Sequence, residues 1–170
     1  MKSKNKKSAR SFALAVALGV LAALPVLAAW KVADHLPALG GFQLEGNVPA
    51  LAGRVVLVDF WASWCGPCKR SFPELDTLQK AYADRGLTIL AISVDEKAEA
   101  MDAFLKEHPV TFATVRDAGQ KLVAAAGVES MPTSFLVDRK GVIRFTHVGF
   151  RGAETVKQLK QEIEQMLAEK

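Results

Sequence analysis

The most regular stretch of hydrophobic patterning runs from Val55 to Trp61, where apolar and β-branched residues follow one another with Asp59 as the single interruption. Continuous runs of this kind fit a strand covered on both faces. The run breaks at Gly66-Pro67, and apolar residues then recur at Phe72, Leu75, Leu78 and Tyr82, a helical spacing that ends at Gly86. Pro73 inside it removes one backbone hydrogen bond and is expected to bend the helix. Leu87 to Val94 is a second near-continuous apolar run, closed by Asp95-Glu96-Lys97. Strand, helix and strand in this order predict a right-handed parallel βαβ unit.

Further along, Lys97 to Glu107 predicts an amphipathic helix with Ala98, Met101, Phe104 and Leu105 on one face, stopped by His108-Pro109. Val110 to Arg116 reads as a strand and Leu122 to Ala126 as a short helix before Gly127. Met131-Pro132-Thr133 leads into the strand Ser134 to Val137, Asp138 to Gly141 turns the chain, and Val142 to Val148 returns. Gly149 follows, where a glycine lets another backbone approach closely. Ala153 to Glu169 predicts a closing helix with Val156, Leu159, Ile163, Met166 and Leu167 inward. Upstream, residues 34–54 are punctuated by glycine and proline, with Phe42 to Glu45 as a possible short strand and Gly46-Asn47 as a turn.

At 170 residues, half of them apolar, the chain suits one domain with one core. The net charge of +4 is concentrated at the start, in Lys2, Lys4, Lys6, Lys7 and Arg10. With those five set aside, 17 Lys plus Arg stand against 18 Asp plus Glu, a near balance that argues against nucleic acid as a partner. This basic head precedes an apolar run from Phe12 to Trp30 that is broken by Gly19 and Pro25 and ends in small residues. That is the pattern of an export signal over residues 1–29, with 30–170 as the folded domain. The run also approaches the ~20 residues that span a bilayer, so a retained membrane anchor through residues 12–30 stays open beside a cleaved signal. Both place the domain outside the cytoplasm, in a periplasmic or similar compartment.

The candidate chemistry lies where the first strand hands over to the first helix. Cys65 and Cys68 are the only cysteines. Free N–H groups and the positive end of the helix dipole favour a thiolate at Cys65, and Pro67 suits the first turn because its missing N–H has no partner there. Cys68, one turn on, can close a small disulfide ring. A purely structural disulfide over so short a separation removes little loop entropy. A zinc site lacks a second Cys pair, and His35, His108 and His147 are scattered; haem attachment requires His after the second Cys, where Lys69 stands. A redox-active dithiol is the reading that remains.

The segment Val-Asp-Phe-Trp-Ala-x-Trp-Cys-Gly-Pro-Cys-Lys, residues 58–69, resembles the active-site segment of thioredoxin. The wider layout, from about residue 36 to 168, is similar to the exported TlpA/ResA-type thiol-disulfide oxidoreductases. The resemblance implies a thioredoxin-like three-layer α/β fold: a mixed central sheet flanked by helices, with an N-terminal hairpin extension and a central insertion at residues 97–118. It implies a cis peptide bond at Pro132, leaving the backbone of Met131 free to pair with an extended substrate. It assigns catalysis to Cys65, Cys68 and Asp59, with Trp64, Gly66, Pro67, Met131 and Pro132 forming the substrate surface and Trp61 in the core. No metal or other cofactor is implied. Thioredoxin pairs a lysine with the carboxylate matching Asp59, but the matching position here is Ala91. An unpaired buried carboxylate resists ionisation and suits a proton acceptor near neutral pH.

Gly66-Pro67 between the cysteines matches the reducing thioredoxins. The implied activity is therefore a protein-disulfide reductase, fed by a membrane electron-donor protein and acting on protein substrates with disulfides. The haem-site cysteines of apocytochrome c are the family's usual substrate. Two other classes remain: a non-catalytic binding or chaperone module, and a peroxiredoxin-like enzyme. The second requires a Thr-x-x-Cys site, and no further cysteine is present.

Overall fold

A computed structural model describes residues 29–169. At its centre lies β1 (Val55–Trp61), every residue of which is buried. It pairs in parallel with β2 (Leu87–Ser93) and antiparallel with β4 (Thr133–Val137). With β3 (Ala113–Arg116) beside β2 and β5 (Ile143–Val148) beside β4, the sheet order is β3-β2-β1-β4-β5. Four α-helices stand among the described residues: α1 (Gly66–Tyr82), α2 (Ala98–Glu107), α3 (Lys121–Ala126) and α4 (Ala153–Ala168).

The alternation of β1 explains its unbroken burial. Trp61 meets Phe72 of α1 and Phe104 of α2, at ring separations of 4.6 and 4.7 Å. Phe60, pointing the other way, meets Phe135 and Trp30 at 6.1 and 5.8 Å. Helix α4 lies on the α1 side, since the Tyr82 hydroxyl at the end of α1 donates to Glu164 at 2.6 Å. Helix α3 lies on the other side, where Trp30, packed on Phe60, donates its N–H to Ala126 at the end of α3, and the three layers inferred from the resemblance are thus formed.

The predicted elements appear with local differences. Helix α1 continues through Pro73. Strand β3 starts at Ala113 rather than Val110, because the Thr111 N–H and hydroxyl both donate to Asp76 of α1, at 2.6 and 2.7 Å. In α4, Thr155 is buried where Val156 was expected, and its hydroxyl accepts the Arg151 N–H.

The N-terminal hairpin is not formed among the described residues. Leu39–Gly41 is a turn of 3-10 helix, Gln43 has a φ of 50°, and Glu45 makes one isolated bridge to Arg116 at the β3 edge. His35 makes another to Val142, next to β5. The segment therefore pairs with the two edges of the sheet instead of with itself, and Phe42 and Leu44 pack on the core as side chains of an irregular strap.

The leader expected over residues 1–29 lies outside the described residues except for Ala29. Trp30, the last residue of the apolar run, is packed edge-on against Phe60 and Phe135, and its N–H bonds the Ala126 carbonyl. Beside it, Gly127 has a φ of 67°, and a Cβ there would run into the Ala29 side chain. No helix among the described residues is long and apolar enough to cross a membrane.

Candidate active site

The chain leaves β1 through Ala62, Ser63 and Trp64 and enters α1 with Cys65 as N-cap. Cys65 and Cys68 are joined in a disulfide with Cα atoms 5.2 Å apart. The Cys68 N–H donates to Cys65 Sγ at 3.2 Å, so the sulfur occupies the place of a capping oxygen. Gly66 and Pro67 form the first turn, and Pro67 leaves no orphan donor there. Cys68 is fully buried and Cys65 nearly so.

A buried carboxylate behind the loop holds it in place. Asp95 accepts the Ser63 N–H at 3.0 and 3.2 Å, the Ser63 hydroxyl at 2.8 Å and the Ser93 hydroxyl at 2.8 Å. Arg116 ties the same corner by donating to the carbonyls of Asp95 and Glu96. In the sequence alone, Asp95-Glu96-Lys97 marks only the end of a strand, and nothing there links Asp95 to Ser63. The available signal was an acid set directly after a buried apolar strand.

Asp59 points to the α1 side of the sheet, as Trp61 does, two residues before β1 ends. It is 1 % exposed. Its neighbour in register on β2 is Ala91, and on β4 it is Ser134, whose hydroxyl donates to Asp59 Oδ1 at 2.6 Å. Oδ2 has no protein hydrogen-bond partner. Burial pushes the carboxyl pKa up to about 7, against the opposing pull of the Ser134 hydrogen bond.

The other expected residues gather at the same end of the sheet. Trp64 is 71 % exposed and shares with Met131 a groove of about 360 Å³, also lined by Val94, Lys97 and Ala100. The Met131–Pro132 peptide is cis. The Pro132 carbonyl accepts the Gly149 N–H at 2.7 Å, which joins the loop before β4 to the end of β5. Trp61 is in the core, while Lys69 and Arg70 are exposed. Among the described residues no group of three or more His, Cys, Asp or Glu side chains could hold a metal ion.

Comparison with known proteins places this arrangement. The Redoxin family pattern matches residues 43–163. The thiol-disulfide oxidoreductase ResA of Bacillus thuringiensis is 36 % identical over 93 residues, covering 55 % of this chain and 54 % of ResA. The thioredoxin-like protein YneN of Bacillus subtilis is 36 % identical over 115 residues, 66 % of this chain and 65 % of YneN. The chain thus spans between about half and two thirds of the length of these curated relatives. A candidate thiol:disulfide interchange protein DsbE from Chlorobium tepidum superposes with a TM-score of 0.75 at 37 % identity, over 81 % of this chain and 99 % of that one. With its fold, its Cys-Gly-Pro-Cys turn and these relatives in agreement, the chain belongs to the Redoxin family, as a thioredoxin-fold protein of the TlpA/ResA type.

Proposed function

We propose that the chain is a protein thiol-disulfide oxidoreductase that works as a disulfide reductase outside the cytoplasm. The observation that carries the reading is a disulfide closed across the first turn of α1, with Asp59 buried on the same side of the sheet. In the reduced enzyme, the Cys65 thiolate is stabilised by the helix N-terminus and attacks one sulfur of a substrate disulfide. The other substrate sulfur leaves as a thiolate. Cys68 then gives its proton to the Asp59 carboxylate and attacks Cys65, which releases the second substrate thiolate and closes the Cys65–Cys68 bond. The substrate gains two electrons and the enzyme loses them.

An extended substrate segment is held on the apolar face of Trp64, over Gly66 and Pro67, and pairs with the backbone of Met131 before Pro132. A membrane-bound thiol protein returns two electrons to the pair, and haem-site cysteines of an apocytochrome are a fitting substrate. The leader of residues 1–29 takes the domain across the membrane and either leaves it there free or holds it at the surface.

Reduction of insulin by the purified chain tests the activity. Wild type is expected to precipitate the insulin B chain, and Cys65→Ser is expected to be inert. A wild type that leaves insulin intact points instead to a binding module. The reduction potential of the pair sets the direction: about −270 mV fits a reductase and about −120 mV an oxidant.

A further inference from the structure

Asp59 is closed off from water, yet a proton acceptor must lose its proton before each new cycle. On its β2 side stands Ala91, which offers no polar atom. Helix α1 brings Cys68, Phe72 and the Ser71 hydroxyl to this face, and Ser71 is already committed to the Cys68 carbonyl at 3.0 Å. Helix α4 brings Thr155 and Leu159, with the Thr155 hydroxyl accepting from Arg151. The polar way out lies along the sheet.

Asp59, Ser134 and His147 are consecutive partners in register across β1, β4 and β5. Side chains of directly paired residues share a face, with Cβ atoms about 4.5–5.5 Å apart. The three therefore form one row on the α1–α4 side. Its inner link is the 2.6 Å hydrogen bond from the Ser134 hydroxyl to Asp59. Its outer link is a 2.6 Å contact between His147 Nε2 and Glu162 Oε2 of α4. Ser134 is 7 % exposed, while the side chains of His147 and Glu162 are 13 % and 20 % exposed and open onto a groove of about 460 Å³ with Arg151 and Gln158.

We propose that Ser134, His147 and Glu162 form the route by which the proton on Asp59 exchanges with solvent. The route rests on the reading of Asp59 as the acceptor of the Cys68 proton. Protonated Asp59 gives its proton to Ser134 Oγ, and the hydroxyl proton passes to His147 Nδ1 through a bridging water, since Ser134 and His147 are paired in register but share no direct hydrogen bond. The imidazole then releases the Nε2 proton toward Glu162 and the groove. One proton enters the row, one leaves, and no electrons move. Arg151 shares the groove at the outer end of the row, and Cys68, buried on the α1 side, delivers the proton in the first place.

The test is the rate at which Asp59 exchanges its proton, read by carbon-13 NMR of the full chain labelled in aspartate, near pH 7 and without substrate. In His147→Ala, exchange is expected to slow roughly tenfold or more, the scale of losing a positioned proton-transfer group. Added imidazole, entering the space left by the side chain, is expected to restore it. His147→Gln, which keeps the size of the side chain, serves if the alanine variant does not fold, and slowed exchange is expected there as well. Wild-type exchange in whichever variant folds overturns the route. A slowing in His147→Ala that imidazole leaves in place overturns it too, since a packing change would do the same. The catalytic reading fails separately, if Asp59→Asn resolves the mixed disulfide at the wild-type rate.

Discussion

Ser134 donates its hydroxyl to Asp59 at 2.6 Å across the β1–β4 register, while on the β2 side, at the position matching the thioredoxin lysine, Asp59 meets only Ala91. A hydroxyl carries no charge, so it cannot offset the cost of burying a carboxylate as an ammonium could. The Asp59 pKa therefore stays well up, at about 7, with burial as the dominant cause.

A raised pKa of this kind links stability to pH with a definite sign. Folding lifts the Asp59 pKa above its unfolded value of 3.8, so the folded chain holds more protons between the two values. The benefit is fully present below pH 3.8 and is lost as pH rises through about 7. Asp59→Asn is expected to remove this loss and to stabilise the protein at pH 8.5 by on the order of 2–4 kcal/mol. Denaturant unfolding at pH 5 and pH 8.5 checks it: the wild type is expected to weaken between the two, and the variant to lack this component. The same variant is expected to slow resolution of the mixed disulfide about a hundredfold above pH 7.

Ser134→Ala removes a hydrogen bond that favours the ionised carboxylate. Such bonds are worth about 1.5–3 kcal/mol, which corresponds to an upward move of about 1–2 pH units. The pH at which resolution reaches its plateau is expected to rise accordingly, while Ser134→Thr keeps the wild-type profile. An unmoved midpoint in the alanine variant would mean that the hydroxyl has no grip on the acid.

Asp95→Ala strips four hydrogen bonds from the corner that holds the loop before Cys65. Buried donors left without a partner cost about 1–3 kcal/mol each, less what water can recover. A loss of roughly 2–4 kcal/mol is expected, together with faster amide hydrogen exchange from Ser63 to Cys65. Full protection in the variant would assign the rigidity of the loop to the helix alone.

Trp64 is exposed, so its removal touches no core packing. Trp64→Ala is expected to change stability by no more than about 0.5 kcal/mol. It is expected to raise KM for protein disulfides severalfold and to leave the reaction with small disulfides near wild type. Equal loss with both kinds of substrate would move Trp64 from the substrate surface to the chemistry.

The sequence was most informative where one residue's neighbours along the chain decide its surroundings. β1, the Cys65–Cys68 turn and α1 follow from a buried strand running into a helix, and the absence of a cationic partner for Asp59 was visible at Ala91. What stayed hidden depends on residues distant in sequence. Ser134 reaches Asp59 only through an antiparallel register, and Ser63 finds Asp95 across 32 positions. Val110 to Phe112 has strand-like composition, but Asp76 takes both donors of Thr111 and turns the backbone away. The Phe42–Glu45 alternation looked like half of a hairpin because apolar-polar alternation does not say whether a second strand or an existing sheet edge receives it.

The strap of residues 29–54 has an effect on the company this domain keeps. By bridging at Glu45 on one flank and at His35 on the other, it shortens the unpaired main chain that a foreign strand could extend. Under the proposed function, that favours the Met131 loop, which shares a groove with Trp64, as the place where a visiting polypeptide lines up backbone to backbone.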